Sequence, residues 1–312
     1  MSVDAPVTVL AGGVGAARLL AGLVRLVDPA QVTAVVNTGD DIVLHGLHIS
    51  PDIDTVVYTV AGAIDPDRGW GLAEESWQAM ETLERYRGQT WFNLGDRDLG
   101  THLFRTQRLA EGATLAEVTA EIAAAWGLGF TVLPVTEAPL RTMLAVAGEE
   151  GEVAFQDYFV RRRHTVDVTG VRFAGADEAA ATPGVLPAIE RAAHVVIAPS
   201  NPIVSIGPLL AVPGVRAAVE ARRDDVVAVS PIVGGKALKG PADRLMRELG
   251  HESSVVGVAR LYAPIAGTLV IDEVDAEHAK AVQNAGLRCV VTDTIMRDPP
   301  AAAALCAAAL TR

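Results

Sequence analysis

The sequence predicts an α/β fold: a Rossmann-like, mostly parallel sheet with helices on both faces. Three observations predict it. Short apolar runs rich in β-branched residues recur at Val7–Leu10, Val32–Val36, Val195–Ala198, Val226–Val229, Leu269–Ile271 and Cys289–Val291. Apolar residues at helical spacing fill gaps between them, as at Leu19, Leu20, Leu23, Val24 and Val27. Loops rich in glycine or proline follow several of the runs. Strands apolar on both faces belong in parallel sheets covered by crossover helices.

The first unit is strand, glycine turn, helix, strand. Val7–Leu10 is broken by Ala11–Gly12–Gly13–Val14–Gly15, a helix runs from Ala16 to Val27, and Asp28–Pro29 stops it before Val32–Val36. The segment from about 54 to 128 reads as largely helical, including Gly71–Arg87 and Thr114–Gly127, and holds all four tryptophans, Trp70, Trp77, Trp91 and Trp126. It is expected to be a helical insertion or lid within one domain spanning residues 1–312. Strands are expected at Phe130–Leu133, Met143–Ala147 and Val153–Val160. Helices near Pro187–Ala193, Pro241–Leu249 and Asp275–Ala285 separate the later strands, and the alanine-rich stretch Pro300–Leu310 closes the chain as a helix.

Composition removes several function classes. Half of the 312 residues are hydrophobic and 21% are charged, so the chain folds rather than staying disordered. The net charge of −12 opposes electrostatic binding to nucleic acid or an anionic membrane. An anionic substrate would need local neutralisation by a cation, backbone amides or placed arginines. Cys289 and Cys306 form no CxxC pair, which excludes a thiolate zinc cluster and suits a reducing compartment. The start MSVDAP lacks a basic signal-peptide region, and no apolar run nears the ~18 residues of a membrane span, so the expected location is cytoplasmic.

Ligands of open parallel sheets bind at the carboxyl ends of the strands, so the loops there are the candidates. Gly12, Gly13 and Gly15 permit close approach of a phosphate to the backbone ahead of a helix N-terminus. The third position of a dinucleotide fingerprint is Arg18, and Asn37 stands where its ribose-binding acid belongs, which disfavours a nicotinamide enzyme. Asp40, Asp41, Asp52 and Asp54 follow the second strand, a cluster of oxygen ligands suited to Mg²⁺. The competing reading is that Asp52 or Asp54 caps a helix starting near Thr55. Arg97, flanked by Asp96 and Asp98, is either a local ion-pair turn or an anion clamp. Ser200–Asn201 and Gly234–Gly235–Lys236 follow later strands and offer amides and side-chain donors; two of the chain's three lysines, Lys236 and Lys239, sit in the latter loop.

Seven of these segments in order resemble a single enzyme group: LAGGVGAARLLAGL (10–23), VNTGDD (36–41), ISPDIDTVVYT (49–59), LGDRDLGTH (94–102), FQDYFV (155–160), APSNPIVSIGPLL (198–210) and SPIVGGKALKGPADRLM (230–246). That group is the 2-phospho-L-lactate transferase family of deazaflavin coenzyme F-420 biosynthesis, including members that use a phosphoenolpyruvyl donor. The resemblance implies a homodimeric, Mg²⁺-dependent transferase. Its donor would be a guanosine diphosphate ester carrying lactate or enolpyruvate. The ribityl hydroxyl of the deazaflavin FO would attack the terminal phosphate and release GMP. It further implies that Asp54 and Arg97 serve the acceptor, with Asp54 catalytic. Gly12, Gly13, Gly15, Ser200, Asn201, Gly234, Gly235 and Lys236 would hold the guanine nucleotide, and Asp40, Asp41 and Asp54 the metal. The rival reading is a non-enzymatic, nucleotide-sugar-binding regulator similar to the gluconeogenesis factor family.

Overall fold

The computed structural model describes residues 5–311. In chain order the strands are β1 (Val7–Ala11), β2 (Val32–Val36), β3 (Ile42–Leu44), β4 (Leu47–Ile49), β5 (Thr131–Pro134), β6 (Arg141–Val146), β7 (Glu152–Ala154), β8 (Val168–Ala174), β9 (His194–Ile197), β10 (Val226–Val229), β11 (Ile232–Val233), β12 (Lys236–Ala237), β13 (Thr268–Ile271) and β14 (Arg288–Val291). The helices are α1 (Val14–Leu23), α2 (Pro51–Val60), α3 (Gln78–Arg85), α4 (Asp98–Ala110), α5 (Leu115–Ala125), α6 (Val185–Arg191), α7 (Ile206–Ala211), α8 (Val215–Ala221), α9 (Ala242–Glu248), α10 (Val255–Tyr262), α11 (Ala279–Asn284) and α12 (Pro299–Leu310).

Seven strands form one sheet in the order β14-β13-β10-β9-β1-β2-β5, and every pair is parallel. Side chains alternate between two cores. Val7, Val9 and Ala11 of β1 pack with Ala17, Leu20, Val57 and Leu305 on one face. Leu10 joins Ile197, Ile206, Val258 and Leu269 on the other. Strict alternation into two buried faces is why these strands read as uninterrupted apolar runs. Gly22 lets α12 close against α1, since a Cβ there would meet the Ala302 carbonyl carbon at 2.4 Å. Among the described residues no helix is long and apolar enough to cross a membrane.

Several local expectations are corrected. The segment Val153–Val160 is not one strand: after β7 the chain makes a π-helical turn at Asp157–Arg161. Phe155, Tyr158 and Phe159 have helical spacing and cluster together, which outweighs their strand propensity. Strands β6, β7 and β8 form a separate antiparallel sheet beside the parallel one. The expected helix over Gly71–Arg87 shrinks to α3, because Gly71, Glu74 and Arg87 have positive φ, which helical geometry does not allow. Helix α2 starts one turn earlier than expected, with Pro51 in its first position after Ser50. Asp52 and Asp54 therefore lie inside its first turn and neither is the cap. The β3–β4 hairpin and helices α7, α8 and α10 had no counterpart in the sequence reading.

Candidate functional site

The chain runs from β1 to β2 and β5 on one side, then returns to β9, β10, β13 and β14 on the other. The strand order therefore reverses between β1 and β9, and a crevice opens at their carboxyl ends. Loops from both strands meet there. Gly15 lies so close to the Pro199 carbonyl oxygen that a Cβ would sit 2.2 Å from it. A Cβ on Gly12 would meet Ser205 Cβ at 2.6 Å, and the Gly12 amide donates to Ser200 Oγ at 3.3 Å. Crowding between the two loops, by side chains at Gly12 and by backbone at Gly15, thus leaves no room for a Cβ at either glycine. Gly15→Ala has no flexible atom to displace; it should cost about 1–3 kcal/mol of stability, read as a lower denaturant midpoint. A midpoint equal to the parent's would show that the two loops part freely.

The crevice has a volume of about 800 Å³. Gly13, Gly15 and Arg18 line it, as do Pro199, Ser200, Asn201, Ser230 and Pro231. Asp40, Asp52, Asp54, Asp98 and His102 bring carboxylates and an imidazole. Trp70, Trp91, Phe92, Phe155 and Phe159 add flat apolar walls. Trp77 packs edge-on against Trp70, with the Arg68 guanidinium near both rings. Trp126 instead packs on Tyr58 against the edge of the core.

Beneath the acids lies a buried polar network. Arg105 of α4 is fully buried and grips both oxygens of Asp54 through its two terminal nitrogens. His102, one turn earlier on α4, places Nδ1 3.3 Å from Arg105 Nη1 and Nε2 3.5 Å from Asp98 Oδ2. Tyr58 donates to Asp98 Oδ1 at 2.6 Å and lies 2.7 Å from Thr101 Oγ1. Burial would raise the Asp98 carboxyl, but His102 and Tyr58 outweigh it and hold it below its usual range. Burial would likewise lower Arg105, yet Asp54 and then Asp41 keep it raised above its ordinary value. Spacing of His102 and Arg105 along one helix is visible in the sequence; their meeting with Asp54 is not.

A second group surrounds the glycine turn. Asn37, at the end of β2, accepts from the Gly39 amide at 2.7 Å and donates to Asp52 Oδ2 at 3.0 Å. The other Asp52 oxygen abuts Gly13, where a Cβ would stand 2.6 Å from it. Burial pushes Asp52 up to about 6 and Asp41 up to about 7. Asp40 is raised well above the usual carboxylate range by burial first, then by repulsion from Asp52 and Asp41. Asp40 Oδ1 is buried and has no hydrogen-bond partner. These acids are crowded beyond what the fold itself neutralises.

A raised carboxyl pKa means that the folded chain keeps a proton the unfolded chain, at an ordinary ~3.9, has already lost. Its ionisation therefore costs stability as pH rises from about 4 towards the folded-state value. Asp41→Asn should accordingly gain stability relative to the parent as pH rises from about 4 to about 7, with a level difference above that, measured as the difference in their melting temperatures. A difference independent of pH would remove Asp41 from the strained group.

The expected site residues separate into two sets. Gly13, Gly15, Asp40, Asp54, Ser200 and Asn201 line the crevice, and Gly12 lies directly behind it against Ser200. Asn201 Oδ1 accepts from the amides of Ile203 and Val204, while its buried Nδ2 has no partner. Asp41, Arg97, Gly234, Gly235 and Lys236 lie outside the lining. Asp41 accepts from Ser50 Oγ at 2.8 Å. Arg97 donates to the Ala73 carbonyl at 2.6 Å and its amide to Glu75 Oε2 at 2.7 Å, a local clasp of the preceding loop. Gly234 and Gly235 both have positive φ and form the two-residue turn between β11 and β12. The Gly234 amide is committed to Asp275 Oδ2 at 2.9 Å.

The metal set is also redrawn. Asp40, Asp41 and Asp54 are not gathered into one ligand sphere among the described residues; the group that is gathered is Asp54, Asp98 and His102. Both Asp54 oxygens already serve Arg105, and an imidazole is a poor ligand for a hard cation. That trio fits a hydrogen-bonded floor better than magnesium. Asp40, a lining residue whose buried Oδ1 has no partner, and Asp52, with one oxygen against the glycine turn, are carboxylates of the kind it takes.

Fold and crevice together define a doubly wound α/β protein with an acid-rich, amide-lined ligand site at its topological switch point. The chain matches the 2-phospho-L-lactate transferase CofD family over residues 7–306. It belongs to that family and is a transferase. It is 43% identical over 310 residues to a phosphoenolpyruvate transferase of Streptomyces griseus, covering 97% of each chain. It is 41% identical over 318 residues to one of Mycolicibacterium smegmatis, again covering 97% of each. Among solved structures it is similar to a UPF0052 family protein of Bacillus halodurans, at a TM-score of 0.64 and 17% identity with both chains fully covered. That last likeness shows the fold alone.

Proposed function

We propose that the chain transfers a phosphoenolpyruvyl or 2-phospho-L-lactyl group from a guanosine diphosphate ester to the ribityl hydroxyl of the deazaflavin FO, releasing GMP, in coenzyme F-420 biosynthesis. The observation that carries this reading is one crevice holding three features side by side: an amide turn, crowded carboxylates and aromatic walls. Backbone amides at Gly13–Gly15, at the start of α1, suit the donor diphosphate. Ser200 and Asn201, whose amide nitrogen has no partner, would hold the nucleotide. Trp70, Trp91 and Phe159 offer flat faces to a tricyclic ring.

Phosphoryl transfer asks a protein for alignment and for neutralisation of nonbridging oxygens, with little covalent chemistry. Asp40 and Asp52 would hold Mg²⁺, which keeps several waters and is usually bound by one or two carboxylates plus substrate phosphates. When bound it supplies charge neutralisation at the phosphates. Asp54, fixed by Arg105, accepts a hydrogen bond from the attacking ribityl hydroxyl and aims its lone pair at phosphorus. An arginine-paired carboxylate is a weak base, so Asp54 orients the hydroxyl more than it removes the proton. The new oxygen–phosphorus bond forms as the bond to GMP breaks, and the hydroxyl proton passes to water or to the departing phosphate.

Incubating the protein with FO, Mg²⁺ and each guanylyl ester tests the reaction, with product mass read by mass spectrometry. FO plus the transferred group and an equivalent of GMP is the expected result; intact FO with every donor would refute the reading. Chelating divalent metal should stop turnover, and unchanged rates in excess EDTA would discard the metal proposal. A cytoplasmic homodimer belongs to the same reading and is checked by light scattering of the purified protein. The regulatory alternative has no specific observation in its favour.

A further inference from the structure

Four cationic side chains line the crevice: Arg18, Arg68, Lys239 and Arg297. Arg68 is spent on Asp65 and the Leu72 carbonyl, and Arg297 on Asp293. Arg18 and Lys239 are described residues with no hydrogen bond or ion pair. Arg18 is half-buried on α1, one turn beyond Gly15 and on the side of the glycine turn. Lys239 reaches in from the opposite part of the chain. The sequence grouped it with Lys236, but the structure parts them: Lys236 stays in β12 outside the lining, while Lys239 brings its Nζ against Gly69, 2.5 Å from where a Cβ would be. Gly69 itself has positive φ and carries no side chain to fill that space.

A half-buried guanidinium without a counter-ion is costly unless a ligand completes it. In a chain of net charge −12, with 17 arginine–carboxylate pairs among its described residues, two unpaired cations in one crevice mark where anions go. We propose that Arg18 and Lys239 divide the transferred group between them, Arg18 taking its phosphoryl oxygens and Lys239 its carboxylate. The division follows from placement. Arg18 lies on α1 one turn after the Gly13–Gly15 turn and lines the same crevice, and its planar fork matches phosphate oxygens. Lys239 stands on a separate loop beside the Arg68–Trp70 segment, so it addresses a second, separate anionic end. This rests on the proposed function for the identity of the group, and Lys239 thereby becomes a specificity residue and not a catalytic one.

The test needs no turnover. Titration calorimetry on the full chain would use phosphoenolpyruvate and inorganic phosphate as probes, on the parent, Arg18→Gln, Lys239→Met and Lys239→Arg, with melting temperatures confirming folding. The parent should bind phosphoenolpyruvate more tightly than phosphate. Arg18→Gln should weaken both by about tenfold or more. Lys239→Met should weaken phosphoenolpyruvate about tenfold, to near the phosphate level, and leave phosphate unchanged; Lys239→Arg should restore part of the preference. Absence of phosphoenolpyruvate binding to the parent, an undiminished preference in Lys239→Met, or unaltered phosphate binding in Arg18→Gln would each overturn the assignment. If the binding pattern holds while no ester is transferred to FO, the transferase chemistry falls and the two-cation site stands.

Discussion

Arg105→Leu is expected to lower stability by about 3–5 kcal/mol, because it strands the Asp54 carboxylate in a buried site without its counter-charge. For a chain of this length that is a fall of about 5–8 °C in melting temperature. The cause is the orphaned charge, and not the loss of an attractive pair as such. The double variant Asp54→Leu/Arg105→Leu should therefore be more stable than Arg105→Leu alone, since it removes the uncompensated ion. Calorimetry of the two variants decides it: a double variant less stable than the single one would show that packing by the arginine stem, and not charge, fixes the floor of the crevice.

Asp54→Asn should lower turnover by about a hundredfold to a thousandfold, the range for a lost charged hydrogen-bond partner to a reacting hydroxyl. Sequence alone, which offered Asp54 as a metal or acceptor residue or as a helix cap, expects this change to leave the fold intact. The structure says otherwise: Asn keeps one acceptor for Arg105 but leaves the guanidinium charge uncompensated beside His102. A fall in stability smaller than that of Arg105→Leu should accompany the loss of rate. The two effects are separable by measuring kcat under saturating FO and donor well below the variant's melting temperature. Turnover near the parent's under those conditions would remove Asp54 from the mechanism and leave it a structural partner of Arg105.

The aromatic walls illustrate how far a local pattern carries. Clustering of four tryptophans in residues 70–126 was plain from the chain, yet nothing local distinguished Trp126, which packs on Tyr58, from Trp70 and Trp91, which face the crevice. The same holds for Gly234–Gly235–Lys236. Both glycines have the backbone conformation of a two-residue hairpin turn, a signal present in the sequence as two short runs flanking Gly-Gly, and one that competes directly with an anion-site reading. Lys239, three residues on, is the one that reaches the crevice. Arg97 gives a further case: the acids on either side of it left a local turn and an anion clamp both open, and its contacts are with Ala73 and Glu75 in the loop it closes.

What the sequence determined by itself was the sheet, the glycine turn and the family. Apolar runs on both faces of a strand leave a parallel sheet as the one way to bury them, and a ligand crevice then follows at the strand ends. Local spacing also placed Asp40, Asp52 and Asp54 near that edge. Only the tertiary structure decided which acids share a neighbour. Asp54 meets Arg105, 51 residues away, and Asp52 meets Asn37 and the glycine turn. Pairing of buried charges depends on how helices α2 and α4 cross, and that geometry is fixed by packing between distant segments, which no local periodicity encodes.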